Sequence, residues 1–95
     1  MDYQIIWSDE SQNEIREILE FLLDEWGDAA ADKFSEQVLQ VGNILEKHPF
    51  AGQRNTWIES VRELPVKPYY LVHYTVLETL KIVYVLNLID SRRKK

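Results

Sequence analysis

Residues 61–76, VRELPVKPYYLVHYTV, contain two segments with the composition of β-strands, separated by Pro68. The first, Val61–Val66, includes Pro65, which has no backbone N–H and is typical of an edge strand or a strand end. The second, residues 69–76, is rich in Tyr and Val, which favour a pleated, half-buried surface. The stretch therefore predicts two consecutive strands.

One further strand is predicted on each side of this pair. Residues 81–89 are almost continuously apolar, as expected for a central strand that is covered on at least one face. Residues 77–80 have the composition of a turn. Near the start of the chain, residues 3–7 are rich in aromatic and β-branched types, which predicts the first strand.

Two amphipathic helices are predicted between the first strand and the second. Either Ser8 or Ser11 can cap the first helix, and Gly27 is a suitable C-terminal stop. We expect Asp28 to cap the second helix, which ends before Pro49. The apolar stripe of the first helix is Ile15, Ile18, Leu19, Leu22 and Trp26, and that of the second is Ala30, Phe34, Val38, Val41 and Leu45.

These elements predict an α+β fold in the order β-α-α-β-β-β. Because neither helix is apolar all round, the two helices should form an antiparallel hairpin that packs on another layer. The expected architecture is a helical hairpin on one face of a mainly antiparallel four-stranded sheet. Residues 1–95 are predicted to form a single domain.

Composition narrows the possible functions. The chain has no cysteine, which excludes a disulfide framework and a thiolate metal site. No spacing of His, Asp and Glu resembles a metal site, so we expect neither a metal nor another cofactor. No apolar run approaches the roughly 18 residues that span a bilayer, and the N-terminus does not resemble a secretory signal. The expectation is a cytoplasmic protein that does not bind membranes.

Charge is distributed unevenly along the chain. Residues 1–60 carry 13 acidic and 4 basic side chains, a net charge of −9, whereas residues 61–95 carry 3 acidic and 7 basic side chains, a net charge of +4. The asymmetry suggests two surfaces with different partners, although an acidic helical surface beside a basic tail would give the same count. The overall charge of −5 argues against direct nucleic-acid binding by the free protein.

Five motifs follow one another along almost the whole chain. They are Tyr3-x-Ile5-x-Trp7-Ser8, Trp26-Gly27-x-x-Ala30, Leu45-x-x-x-Pro49-x-x-Gly52, Val61-Arg62-x-Leu64-x-Val66-x-Pro68-Tyr69-Tyr70-Leu71-Val72-x-Tyr74-x-Val76, and Ile82-x-x-Val85-Leu86 followed by Ile89-Asp90-Ser91-Arg92. Their order and spacing resemble the RelE/ParE family of bacterial toxins.

This resemblance implies the toxin of a type II toxin–antitoxin module, neutralised by a cognate antitoxin. It implies two mechanisms on one fold. RelE-like members cut messenger RNA on the ribosome, whereas ParE-like members bind DNA gyrase and stall it. A third possibility is a decayed homologue that retains only antitoxin binding.

Cutting RNA requires groups that move protons and positive charge near the phosphate. Arg62 and Arg92 are candidates for the charge, because a planar guanidinium makes paired hydrogen bonds to phosphate. His73 could act as an acid or a base, as histidine side chains commonly do, and Tyr70 could donate a hydrogen bond or stack on a base. Each of these four residues could instead have a purely structural role. Strand histidines and tyrosines commonly lie in or near the core, and arginines commonly pair with carboxylates.

Three departures from the ribonuclease pattern favour the ParE-like mechanism. RelE ribonucleases typically carry an arginine early in the third strand, where this chain has Tyr69-Tyr70-Leu71. They often carry a further tyrosine after the last basic residues, whereas this sequence ends at Lys95. Their surfaces are usually basic, and an acidic surface is repelled by ribosomal RNA. We therefore predict a toxin that binds its target without chemistry of its own.

The basic second part of the chain predicts where the antitoxin docks. Antitoxin segments in this family are usually acidic and amphipathic, so opposite charge and aromatic anchors should attract them. We expect the segment to cross the face of the sheet. The predicted partner-binding residues are Arg62, Tyr70, Tyr74, Lys81, Arg92, Arg93 and Phe21.

Overall fold

The computed structural model describes residues 2–93, and of Arg93 only the backbone. The elements are β1 (Gln4–Trp7), α1 (Asp9–Trp26), α2 (Asp28–Lys47), β2 (Gln53–Arg54), β3 (Val61–Val66), β4 (Tyr70–Leu77) and β5 (Ile82–Asp90). Short 3-10 turns cover residues 78–80 and 91–93. The predicted α+β order is confirmed, with one additional strand.

The five strands of the described chain form one mixed sheet in the order β1-β5-β4-β3-β2. β1 runs parallel to β5, and the other neighbours are antiparallel. The prediction of four strands was short by one, because β2 is only two residues long and both are polar. Only the pairing of Gln53 with Glu63 and of Arg54 with Arg62 reveals that strand.

The helical hairpin covers one face of the sheet, and the core lies between them. A β-bulge lies where β4 pairs with β5, because His73 pairs with Asn87 and Tyr74 with Val85. Leu86 is the extra residue, which turns Val85 and Leu88 toward the same face. The buried core is Leu22, Phe34, Val41 and Leu45 from the helices with Val66, Tyr70, Val72, Tyr74, Val83, Val85 and Leu88 from the strands.

Local chemistry explains where the helices begin and end. The hydroxyl of Ser8 accepts a hydrogen bond from the backbone N–H of Ser11, so Ser8 is the cap of α1. Gly27 has a φ of 95°, a value that favours glycine, and it both ends α1 and precedes α2. The prediction that Asp28 is the cap was therefore wrong by one residue. Asp28 is instead the first residue of α2, where its charge suits the helix dipole.

Helix α1 also completes the edge of the sheet beyond the short strand β1. The hydroxyl of Ser8 donates to the carbonyl of Leu86, and the backbone N–H of Leu88 donates to Glu14 Oε1 at 2.6 Å. Glu14 is thus half-buried. Desolvation by burial is the main reason that the pKa of its carboxyl is raised.

Candidate functional site

Arg62 holds the loop after α2 against the sheet. It lies opposite Tyr74 in the β3–β4 pairing. Its Nη1 donates to the carbonyl of Gly52 at 2.8 Å and to that of Phe50 at 3.3 Å, and its guanidinium carbon is 5.1 Å from the centroid of the Phe50 ring. These contacts use the guanidinium within the chain itself, so Arg62 acts as a structural tie.

Tyr70 and Tyr74 lie in the core. Tyr74 has no exposed surface, and its hydroxyl accepts a hydrogen bond from the backbone N–H of Gly52 at 2.9 Å. Tyr70 packs edge-on against Phe34, with ring centroids 5.5 Å apart, and burial raises its pKa to about 12. The prediction that these two side chains offer apolar area to a partner was wrong, because they face the hairpin.

His73 belongs to a polar row on the sheet face that the hairpin leaves open. Its Nδ1 lies 2.9 Å from Asn87 Oδ1, and its Nε2 lies 3.4 Å from Glu63 Oε2. Glu63 also accepts a hydrogen bond from Asn55 at 2.7 Å. Both ring nitrogens of His73 therefore face protein atoms, and only 15% of the side chain is exposed.

Arg92 lies at the C-terminal end of β5 and is held on two sides. It donates two side-chain hydrogen bonds to Asp90, from Nε at 3.1 Å and from Nη2 at 2.8 Å. Its guanidinium carbon lies 3.6 Å from the centroid of the Tyr69 ring. Phe21 and Tyr70 line the same shallow cleft as Arg92.

The remaining predicted residues are not grouped with these. Lys81 lies at the opposite end of β5, with its Nζ 5.1 Å from the centroid of the Tyr3 ring. The side chain of Arg93 lies outside the described part of the chain. Arg62 holds the loop after α2, His73 lies on the open face of the sheet, and Arg92 follows the end of β5. The structure therefore does not combine these three side chains into one reaction centre.

The structure instead reveals a groove that the sequence interpretation missed. It has a volume of about 750 Å³ and lies between the helical hairpin and the turn that joins β3 to β4. Its apolar lining includes Leu22, Phe34 and Pro68, and Trp26 stands on its rim with 70% of its surface exposed. We refer to it as the hairpin groove.

The prediction that Trp26 belongs to the packed stripe of α1 was wrong. Although its spacing from Leu22 is helical, it is the last residue of α1, where the helix has passed the part of the hairpin that lies over the core. Position within the helix, rather than periodicity, was the signal that could have indicated its exposure.

Two lysines flank the hairpin groove. Lys33 comes from α2, and Lys67 comes from the β3–β4 turn. The backbone N–H of Lys67 donates to Gln37 Oε1 at 2.7 Å, which joins the turn to α2. Both lysines are exposed, and neither forms an ion pair with any residue in the described range 2–93.

Comparison with known families identifies the chain. A family model described as the ParE toxin of the type II toxin–antitoxin system parDE matches residues 5–94. The chain belongs to this ParE toxin family. Among curated proteins, none matches the sequence significantly.

Solved toxin structures share the fold. The chain is similar to a structure from the chromosomal ParDE system of P. aeruginosa, with a TM-score of 0.77, 14% identity, and coverage of 93% of this chain and 95% of that one. It is also similar to a RelBE toxin–antitoxin complex of Mycobacterium tuberculosis, with a TM-score of 0.66, 11% identity, and coverage of 95% and 99%.

A free mutant of the E. coli toxin RelE has a TM-score of 0.69, 14% identity, and coverage of 99% of this chain and 88% of that one. At these identities the likeness concerns the fold, so both ParE and RelE relatives share the architecture of this type II toxin. Within residues 2–93, neither α1 nor α2 combines the length and the apolar character that a membrane-spanning helix requires. Residues 2–93 likewise contain no group of three His, Cys, Asp or Glu side chains arranged for a metal ion.

Proposed function

We propose that this ParE-family toxin stops bacterial growth by binding an essential protein target such as DNA gyrase, and that a cognate antitoxin neutralises it. The observation that carries the proposal is the engagement of all four candidate catalytic side chains within the chain itself. A ribonuclease of the RelE kind would need at least some of these groups free to reach RNA.

Each candidate is held in a way that opposes catalysis. Arg62 donates to backbone carbonyls, and Arg92 forms a double hydrogen bond with Asp90, so a phosphate would have to compete with existing partners. Tyr70 is buried against the hairpin, so its hydroxyl is not presented to an RNA substrate. His73 has carboxylate and amide oxygens beside its two nitrogens, which leaves no ring nitrogen directed at solvent.

Electrostatics supports the same choice. The exposed faces of α1 and α2 carry most of the acidic side chains of residues 1–60, whose net charge is −9. Binding to RNA depends on neutralising its phosphates with cations, so an acidic hairpin opposes docking on the ribosome. Binding to a protein target does not require a surface rich in cations.

Inducible expression of the protein in bacteria tests the proposal. We expect growth to slow, plasmid DNA to lose negative supercoiling, and purified protein to inhibit the supercoiling reaction of gyrase. Growth should recover when the adjacent gene, expected to encode the antitoxin, is expressed with it. Normal growth from folded, well-expressed protein would contradict the toxin function and favour the decayed homologue.

Messenger RNA on translating ribosomes provides the discriminating control. We expect no new transcript ends after induction, either in cells or with purified ribosomes. Arg92→Ala is the variant to compare, because Arg92 is exposed and its loss should leave the core intact. Site-specific cuts that disappear in Arg92→Ala would replace the binding mechanism with ribosome-dependent cleavage.

A further inference from the structure

We infer that the hairpin groove is the docking site for a large apolar side chain of an acidic antitoxin segment, whose carboxylates pair with Lys33 and Lys67. The inference rests on the proposed function, because it requires that an antitoxin binds this protein. It moves the docking surface from the sheet face, which the sequence indicated, to the groove between the helical hairpin and the β3–β4 turn.

The hairpin groove has the size and the lining of a binding site. The groove volume of about 750 Å³ lies within the range of typical ligand sites, roughly 300–1,000 Å³. Leu22 and Phe34 in its lining are core residues, so its floor is rigid and apolar. Tyr69, at the β3–β4 turn, is held in place by Arg92 above its ring. An apolar side chain entering the groove would meet a surface that is already formed.

Trp26 is a large apolar side chain that is exposed at the rim of the groove. A tryptophan at the rim with 70% of its surface in water can be covered by a partner, and Leu23 beside it in α1 is 49% exposed. Tryptophan is enriched among the few residues that dominate binding energy at interfaces.

Charge complementarity specifies the chemistry of the partner. The hairpin is acidic over most of its surface, and Arg16, Lys33 and Lys47 are the three basic residues in its two helices. Of these, only Lys33 lines the groove, where it is joined by Lys67. Because neither ammonium has a carboxylate partner among residues 2–93, an acidic segment gains ion pairs there without breaking any.

The open sheet face is less suited to such a segment. Its centre is occupied by the row of Glu63, His73 and Asn87, which are bonded to or face one another. A carboxylate placed over this row would meet Glu63 rather than an unpaired cation. An acidic segment is therefore attracted to the hairpin groove and repelled from the middle of the sheet.

The test is a titration of the full-length chain with the protein encoded by the adjacent gene. Trp26→Ala should weaken binding by at least about 30-fold, as expected for a residue that anchors an interface. The matched control is Trp57→Ala, because Trp57 is 89% exposed and lies in the loop before β3, outside the groove. We expect that control to bind as the wild-type protein does, within about threefold.

Charge reversal tests the second half of the inference. Lys33→Glu combined with Lys67→Glu should lower the association rate by about tenfold at low salt, and the difference should fade at 1 M salt, where the screening length is about 3 Å. Lys47→Glu is the control, since its side chain is 66% exposed and its ammonium lies beside Asp2 rather than in the groove. We expect Lys47→Glu to have a much smaller effect.

A third measurement needs no substitution. Acetylation of lysines by acetic anhydride should be slowed at Lys33 and Lys67 in the complex and unchanged at Lys47. If the wild-type protein forms no complex, the proposed function fails. If it forms a complex that Trp26→Ala and the double charge reversal leave unchanged, while Lys33 and Lys67 stay reactive, the groove is overturned and the proposed function stands.

Discussion

Replacing Tyr74 with phenylalanine tests how the loop after α2 is held on the sheet. The hydroxyl of Tyr74 is the buried acceptor for the backbone N–H of Gly52, at 2.9 Å, and Tyr74 itself has no exposed surface. Tyr74→Phe keeps the ring and removes only this oxygen. The loop stays tied through Arg62, which donates to the carbonyl of Gly52.

The expected loss of stability comes from the N–H that is left without a partner. A buried donor that loses its acceptor costs about 1–3 kcal/mol, more than the net value of an ordinary hydrogen bond. In a chain of this size, each kcal/mol lowers the melting temperature by roughly 4–8 °C. At the middle of the range, about 2 kcal/mol, the melting temperature of Tyr74→Phe should fall by about 8–16 °C.

Thermal and urea unfolding followed by circular dichroism measure this loss. Tyr84→Phe is the matched control, because Tyr84 is half-exposed on the open face and its hydroxyl makes no hydrogen bond within residues 2–93. That control should change the free energy of unfolding by less than about 0.5 kcal/mol. Equal stabilities for Tyr74→Phe and the wild-type protein would show that the Gly52 N–H does not depend on this hydroxyl.

Two further substitutions probe the same framework. Gly52→Ala should destabilise the protein by about 2 kcal/mol or more, because its Cβ would lie 2.5 Å from the Glu63 carbonyl oxygen and 2.7 Å from the Tyr74 hydroxyl. Its control is Gly42→Ala in α2, where the nearest neighbouring atom is 3.9 Å from the added Cβ and alanine should add about 0.5–1 kcal/mol of stability. A loss of stability in Gly42→Ala, or no loss in Gly52→Ala, would contradict the packing described. For Glu14, the raised pKa means that its contribution to stability is complete below the ordinary pKa of 4.5 and is lost as pH rises through the folded-state pKa. The free energy of unfolding, measured in urea from pH 4 to pH 8, should therefore decline less with rising pH in Glu14→Gln than in the wild-type protein. Parallel plots of this free energy against pH for the two proteins would refute the prediction.

Periodicity in the chain was sufficient to predict the order of the main elements. The stripe that contains Phe34, Val41 and Leu45 is helical in spacing, and these three side chains are buried. The strands that begin at Val61 and Tyr70 were visible because Pro68 separates two runs of β-forming residues. Side-chain spacing and local breakers act over a few residues, so they can be recognised without knowing what the segment packs against.

The roles of the candidate site residues depended on contacts between distant segments. Arg62 and Tyr74 both bind Gly52, which lies 10 and 22 positions away in the chain. Strand alternation places a tyrosine on one face or the other, but which face the hairpin covers depends on strand order and on the bulge at Leu86. For that reason the sequence did not show that both Tyr70 and Tyr74 face the hairpin.

The hairpin groove could not be predicted from the sequence, because it too depends on contacts between distant segments. Its walls come from α1, α2 and the β3–β4 turn, and Trp26 and Lys67 are 41 positions apart in the chain. Amphipathic spacing identifies which side chains avoid water, yet a cavity exists only where packed elements leave space between them. Local patterns therefore specified the helices and strands, whereas the packing of the hairpin on the sheet decided which aromatic and basic side chains share a surface.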